Sequence, residues 1–361
     1  MKIFNVGAQR PATEDARSAR LAAATDLVQR TLAQHGLLPG HDAQQDGLAQ
    51  PIFTKFGSLP QGISNLTTRQ TGPATPLPQG AEFRKDVFTC DAGSRPYRHY
   101  VPSGAKQGVT GIVMMLHGCT QTPEDFATGT NMNALAEEHG FIVVYPQQAR
   151  GDNAQSCWNW FRRGDQRRGR GEPALLAALA QKLMTDFDVP RDHCFVAGLS
   201  AGAAMAVILG ETYGDVFTAV GAHSGLPYAS ASDVPSAFAA MAGNRQGSPA
   251  SASTGRAVRS IVFHGTADTT VHPSNSGRIG VNTATGQVIE TTEHGVAAGR
   301  SFSRKVTSQT NGTITAEHWL IEGLGHAWSG GQPGGSYTDP KGPDASAAMV
   351  RFFYQTNKES H

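Results

Sequence analysis

The apolar residues of this chain fall into short unbroken runs separated by stretches of helical period. Gly111-Ile112-Val113-Met114-Met115-Leu116, Ile142-Val143-Val144-Tyr145, Cys194-Phe195-Val196-Ala197, Phe217-Thr218-Ala219-Val220-Gly221-Ala222 and Ile261-Val262-Phe263-His264 carry the pattern. A strand covered on one side only would alternate, so continuous runs read as strands buried on both faces. Segments 83–90, 96–102 and 315–321 read as further strands. Between them, 131–139, 173–187, 202–213, 233–242 and 344–356 read as helices. Strand-helix alternation predicts an α/β domain, a mostly parallel central sheet with helices on both faces.

The first 80 residues differ. Ala16, Leu21, Ala24, Leu27, Val28 and Leu32 recur at steps of three and four with charges between them, which predicts one amphipathic helix over 13–35. Gly36 and Pro39 end it. From there to Gly80 the chain is rich in Gly, Pro, Gln and Thr without sustained period, an extended arm or linker. The expected division is therefore 1–80 for helix and arm and 81–361 for the α/β domain. The helix is expected to pack on its own domain, with a partner or a homodimer through this segment as alternatives.

Composition narrows the function classes. The net charge is +1, which drives binding to neither nucleic acid nor an anionic membrane. No uninterrupted apolar run is long enough to span a bilayer. The N-terminus turns polar at once and shows no signal peptide, so the chain as it stands is expected in the cytoplasm, or secreted if a leader preceded it. Four cysteines, Cys90, Cys119, Cys157 and Cys194, lack metal-ligand spacing. Buried thiols are the preferred reading; a Cys119–Cys157 bridge is the alternative.

The candidate chemistry begins at Gly198-Leu199-Ser200-Ala201-Gly202, where an apolar strand runs through Gly-x-Ser-x-Gly into the helix-compatible Ala203–Leu209. A serine on such a turn is held exposed above the sheet edge. Its hydroxyl needs a base, and the base an orienting acid, in the chain order serine, acid, histidine for this architecture. Asp268 follows a strand end in His264-Gly265-Thr266-Ala267-Asp268, and His326 lies in the glycine-rich Gly323-Leu324-Gly325-His326 after the last strand. Asp268 would orient His326, and His326 would deprotonate Ser200. Read singly, Asp268 could instead be a turn or cap residue and His326 a core histidine, with His264 and His272 as fallback bases. The backbone amides of Ala201 and Cys119, the latter in His117-Gly118-Cys119-Thr120-Gln121 after an early strand, are the expected oxyanion donors. This chemistry calls for no metal or organic cofactor.

Together these segments resemble the polyhydroxybutyrate depolymerase family of esterases, among the α/β-hydrolases beside feruloyl and acetyl-xylan esterases. The resemblance covers roughly 83–356. It rests on Leu116–Phe126, Cys157-Trp158-Asn159-Trp160-Phe161, Gly198–Gly202, His264–Pro273 and Gly325-His326-Ala327-Trp328-Ser329-Gly330-Gly331. It implies an α/β-hydrolase fold, the same serine, aspartate and histidine roles and an oxyanion loop at Cys119. The expected activity is hydrolysis of short-chain hydroxyalkanoate esters, oligomers or polyesters through an acyl-enzyme. A feruloyl or acetyl-xylan type esterase or an aromatic polyester hydrolase is the alternative. Similar secreted depolymerases also carry a linker and a substrate-binding domain; here the chain closes at His361, which favours soluble esters or oligomers.

Trp158, Trp160 and Trp328 are expected to wall an acyl-binding cleft, with a buried loop anchor as the competing reading for the first two. The run Arg162, Arg163, Arg167, Arg168 and Arg170 reads as a solvated loop, or as a means of drawing carboxylate-bearing substrates to the cleft.

Overall fold

The computed structural model describes residues 76–244, 258–280 and 287–355. The amphipathic helix expected at 13–35, and the dimer contact attached to it, lie outside the described residues.

Ten strands form one sheet: β1 (Glu82–Cys90), β2 (Gly93–Val101), β3 (Ile112–Leu116), β4 (Ile142–Pro146), β5 (Cys194–Leu199), β6 (Ala219–His223), β7 (Arg259–Gly265), β8 (Val288–Ala297), β9 (Arg300–Gln309) and β10 (Ile314–Ile321). Their order is β1-β2-β4-β3-β5-β6-β7-β10-β9-β8. The pairs from β4 through β3, β5, β6 and β7 to β10 are parallel, and the outer pairs at both ends are antiparallel. Every residue of β3, β4, β5 and β6 is buried, as the unbroken apolar runs required.

Among the described residues six α-helices cover the two faces: α1 (Pro123–Thr130), α2 (Met132–His139), α3 (Gly171–Asp186), α4 (Ala201–Thr212), α5 (Val234–Met241) and α6 (Ala345–Tyr354). Alternation along β3 feeds both cores. Ile112, Met114 and Leu116 pack with Leu176, Leu179, Met205 and Ile208 of α3 and α4. Val113 and Met115 pack with Phe126, Met132, Met349 and Phe353 of α1, α2 and α6. Helix α4 is buried from Ala201 to Glu211, so its apolar character all round is explained by its place against the sheet.

Helix α1 and the hairpin of β8 and β9 were not expected from the sequence. Helix α1 starts at Thr122, whose hydroxyl accepts from the Asp125 amide, with Pro123 in the first turn. The hairpin β8–β9 turns at Ala298 and Gly299, both at positive φ, 42° and 82°. Its strands are too polar to show an apolar run.

Candidate active site

The serine elbow forms where β5 meets α4. Ser200 has φ 57° and ψ −118°, a backbone state that L-residues rarely adopt and that costs on the order of 1–3 kcal/mol. The elbow is held by the Ser200 amide donating to the His223 carbonyl at 2.9 Å, and by the Ala204 amide donating to the Ser200 carbonyl at 3.0 Å. Gly202 must be glycine: a Cβ there would sit 2.0 Å from the Leu116 carbonyl oxygen. The end of β3 therefore lies against the first turn of α4, next to the serine.

Asp268 and His326 meet. His326 Nδ1 lies 2.8 Å from Asp268 Oδ2. The other carboxylate oxygen accepts from the amides of Thr270 and Val271, both at 2.9 Å. His264 Nε2 stands 3.4 Å from Oδ2. Burial of Asp268 favours the neutral acid, but the hydrogen bonds from His264, His326 and the Val271 amide outweigh it and hold the carboxyl well below the usual carboxylate range. The two loops interlock at Gly265, where a Cβ would fall 2.1 Å from the Leu324 carbonyl oxygen. Ser200 follows β5, and Asp268 follows β7 with one strand between, so two strand spacings of about 4.8 Å separate their strands. Among the described residues no hydrogen bond joins the Ser200 hydroxyl to His326, a contact that commonly tightens only with substrate bound.

His223, which the sequence did not single out, ties the serine to the histidine loop. Its carbonyl takes the Ser200 amide. Its Nε2 accepts from the Ser329 amide at 3.1 Å, three residues after His326. The ring is stacked between Phe263 and Trp328, with centroids 5.8 and 5.2 Å away. Burial first, then the neighbouring His264 and His326, bring its pKa down to about 3, so it stays neutral and can accept.

The loop expected to supply an oxyanion donor is built differently. His117 Nε2 accepts from the Gln148 amide at 3.1 Å, which leaves the proton on Nδ1, and Nδ1 donates to the Gly118 carbonyl at 2.7 Å. Burial lowers the His117 pKa to about 4, consistent with this neutral tautomer. In a trans peptide the N–H points opposite to the C=O. Fixing the Gly118 carbonyl toward His117 therefore turns the Cys119 N–H the other way. Gln121 closes the loop: its Oε1 accepts from the Gly118 amide at 2.8 Å and its Nε2 donates to Asp125 Oδ2 at 2.9 Å. Thr120, at φ 66°, donates its amide to the Gln155 carbonyl. Among the described residues neither the Cys119 nor the Ala201 amide has a backbone acceptor, and Ala201 opens α4, where helix amides are left free.

Cys119 is bridged to Cys157, which corrects the buried-thiol reading for that pair; Cys90 and Cys194 are free. Spacing along the chain did not decide between the readings. Behind the bridge lies a buried polar network. Gln148 Nε2 donates to the Cys157 carbonyl at 2.9 Å and also to Glu172 Oε1. Glu172 accepts from the Asn159 amide at 2.7 Å and from Asn159 Nδ2 at 2.9 Å. Burial raises the Glu172 pKa.

The tryptophans are corrected as well. Trp158 is 0%, Trp160 6% and Trp328 1% exposed, so none offers an open wall to a substrate. Trp158 Nε1 donates to the His117 carbonyl and Trp328 Nε1 to the Ser346 hydroxyl, each at 3.0 Å. They are buried loop anchors, because a buried indole needs an acceptor and these loops supply one. Within the arginine run, Arg168 forms a two-pronged pair with Asp215 at 2.6 and 2.7 Å and lies over the Tyr213 ring, a structural tie.

Residues 95–290 match the family described as esterase PHB depolymerase. The chain belongs to that family. Poly(3-hydroxyalkanoate) depolymerase C of Paucimonas lemoignei is 32% identical over 249 residues, 66% of this chain and 60% of that one. A probable acetylxylan esterase A of Aspergillus fumigatus is 31% identical over 192 residues, 49% of this chain and 51% of that one. The chain thus spans between half and two thirds of the length of these relatives. An acetyl xylan esterase from Aspergillus awamori superposes with a TM-score of 0.57 at 18% identity, covering 76% of this chain and 98% of that one. The fold of this esterase family member is the α/β-hydrolase fold expected from the sequence.

Proposed function

We propose that the protein is a serine-dependent carboxylic-ester hydrolase acting on short-chain hydroxyalkanoate esters, oligomers or polyesters. The observation that carries this reading is the Asp268–His326 hydrogen bond at 2.8 Å, on the same sheet edge as the strained Ser200 elbow. Ser200 Oγ attacks the ester carbonyl carbon and passes its proton to His326 Nε2. The ionised Asp268 holds His326 Nδ1–H and stabilises the imidazolium. The carbonyl oxygen becomes an oxyanion facing the amides of Cys119 and Ala201. Collapse of the tetrahedral intermediate breaks the bond to the alkoxide, which takes the proton from His326 and leaves the acyl-enzyme. Water, deprotonated by the same histidine, then releases the acid and restores Ser200.

Ser200→Ala is expected to lower turnover of a nitrophenyl butyrate ester by roughly 10⁴–10⁶ while leaving the fold intact. It should also abolish labelling by a fluorophosphonate. Parent-level turnover in that variant would overturn the proposal.

The acetylxylan esterase relatives favour a second reading, an acetyl-xylan or feruloyl type esterase. Release from hydroxybutyrate oligomers, acetylated xylan and methyl ferulate, compared at equal enzyme, separates the two. The burial of the tryptophans removes the support for an aromatic polyester cleft. The Cys119–Cys157 bridge supports an oxidising compartment as the working place, against the cytoplasmic expectation. Thiol titration of the unfolded, unreduced protein should find Cys90 and Cys194 only.

A further inference from the structure

Strand β8 closes one end of the sheet, paired with β9 on one side and with no strand on the other among the described residues. An open edge of this kind presents a row of backbone donors and acceptors to any extended chain, and soluble proteins usually protect it with charge, proline or a covering element. The opposite edge follows that rule, since β1 carries Arg84, Lys85 and Asp86 at its centre. Strand β8 does not. Its residues Val288 to His294 are all exposed, and Val288, Ile289 and Val296 are 45%, 51% and 73% exposed. These are three of the six large hydrophobic residues exposed among the described residues.

We infer that β8 is the contact between two copies of this chain, joined edge to edge in a continuous antiparallel sheet. The argument is self-complementarity in one register. A two-fold axis normal to the sheet keeps each face on its own side, so it must pass through a residue position. With the axis at Thr292, Val288 falls opposite the partner's Val296, Glu290 opposite the partner's His294, and Thr292 opposite the partner's Thr292. All of these share one face of the strand. Each exposed valine covers the other, and Glu290, paired within its own chain with Lys305, also comes beside the partner's imidazole. The neighbouring registers lose this match. An axis at Glu293 sets two carboxylates against each other and Glu290 against Val296. An axis at Thr291 sets Val288 against His294 and Ile289 against Glu293. The β1 edge, centred on Asp86, would bring like charges together in the same construction.

The test is the mass of the full chain in solution, by sedimentation equilibrium over a wide concentration range. The parent protein is expected near twice the chain mass. Thr292→Lys, which sets two ammonium groups side by side on the axis, should return it to the chain mass with nitrophenyl ester hydrolysis unchanged. Thr292→Cys should give a disulfide-linked dimer under mild oxidation, whereas Val87→Cys on the opposite edge should not. A parent that stays at the chain mass at every concentration overturns the inference. So does a Thr292→Lys protein that still dimerises, which would put another surface of the chain in the contact.

Discussion

The two sides of the site solve one positioning problem in different ways. On the proposed acid–base side the groups are side chains, and each stands a few residues beyond the end of its own strand. Asp268 follows β7, His326 follows β10, and their mutual hydrogen bond at 2.8 Å completes the pair. On the proposed oxyanion side the groups are backbone amides. An amide has no side chain of its own to aim it, so neighbours must fix the peptide plane. His117 holds the Gly118 carbonyl, Gln121 the Gly118 amide, Gln155 the Thr120 amide, and Cys157 the Cys119 sulfur. Changes on the first side should therefore remove chemistry and spare the fold. Changes on the second should cost stability and rate together.

The largest expected effect lies on the acid–base side. In Asp268→Asn the amide oxygen can keep the Thr270 and Val271 amides while its NH₂ faces His326 Nδ1. That forces the ring proton onto Nε2, and Nε2 can no longer accept from Ser200. The expected loss in kcat is about 10⁴-fold with KM little changed, read by steady-state kinetics on a nitrophenyl ester. A loss of only a few fold would remove Asp268 from the mechanism.

Next comes the bridge. Cys119 and Cys157 are 38 residues apart, and opening a loop of that length removes about 3–4 kcal/mol of stability in the chain-entropy picture. Cys119→Ala with Cys157→Ala should lower the urea midpoint accordingly, and kcat should fall with it because the loop carrying the Cys119 amide loosens. Reduction of the parent should move both quantities the same way. Full activity with an unchanged midpoint would break the contrast between the two sides.

How far the sequence could be read follows the same division. The Ser200 elbow and the meeting of Asp268 with His326 were legible because side-chain chemistry and strand order are both written in the chain. So were the strands β3 to β7, whose apolar runs admit few other readings. The devices that aim the amides were not. Gln121, Gln148 and Glu172 look like ordinary polar residues until the fold brings them beside His117. His223 was passed over because half of its work is done by a backbone carbonyl. The tryptophans were misread because an aromatic cluster looks alike whether it lines a cleft or anchors a loop; only the acceptors for Trp158 and Trp328, His117 O and Ser346 Oγ, decide it. The hairpin β8–β9 escaped because no residue of either strand is fully buried, so no hydrophobic period marks it. Its far end did carry a signal, the Asn311-Gly312 turn before β10.

Per ring and per pH unit, a smaller effect comes from acid, and it touches both sides. His117 and His223 are held neutral by burial, with pKa values near 4 and near 3 against 6.5 in the unfolded chain. Between pH 6.5 and 4 the unfolded state therefore binds protons that the folded state refuses. Stability must fall as pH falls through that window, by roughly 1–2 kcal/mol per pH unit for each ring. Glu172, with its pKa raised by burial, acts in the opposite sense and offsets part of the slope. Urea midpoints measured across the window should decline toward acid, and the decline should be shallower in His223→Gln. An identical slope in that variant would mean the ring is not a source of the acid sensitivity.

The smallest effect is the most diagnostic for the amide argument. Gln121→Ala leaves the Gly118 amide without its acceptor at 2.8 Å and frees Asp125 from one donor. An unsatisfied buried donor costs about 1–3 kcal/mol, and here the strain falls on the peptide beside Cys119. The expected result is about a tenfold fall in kcat with KM nearly constant, because an oxyanion forms only after the substrate is bound. Gln121→Glu still offers an oxygen to the Gly118 amide, and should recover part of the rate. If instead both variants raise KM and leave kcat alone, Gln121 shapes substrate binding rather than the Cys119 amide, and the oxyanion side loses the feature that sets it apart from its neighbour.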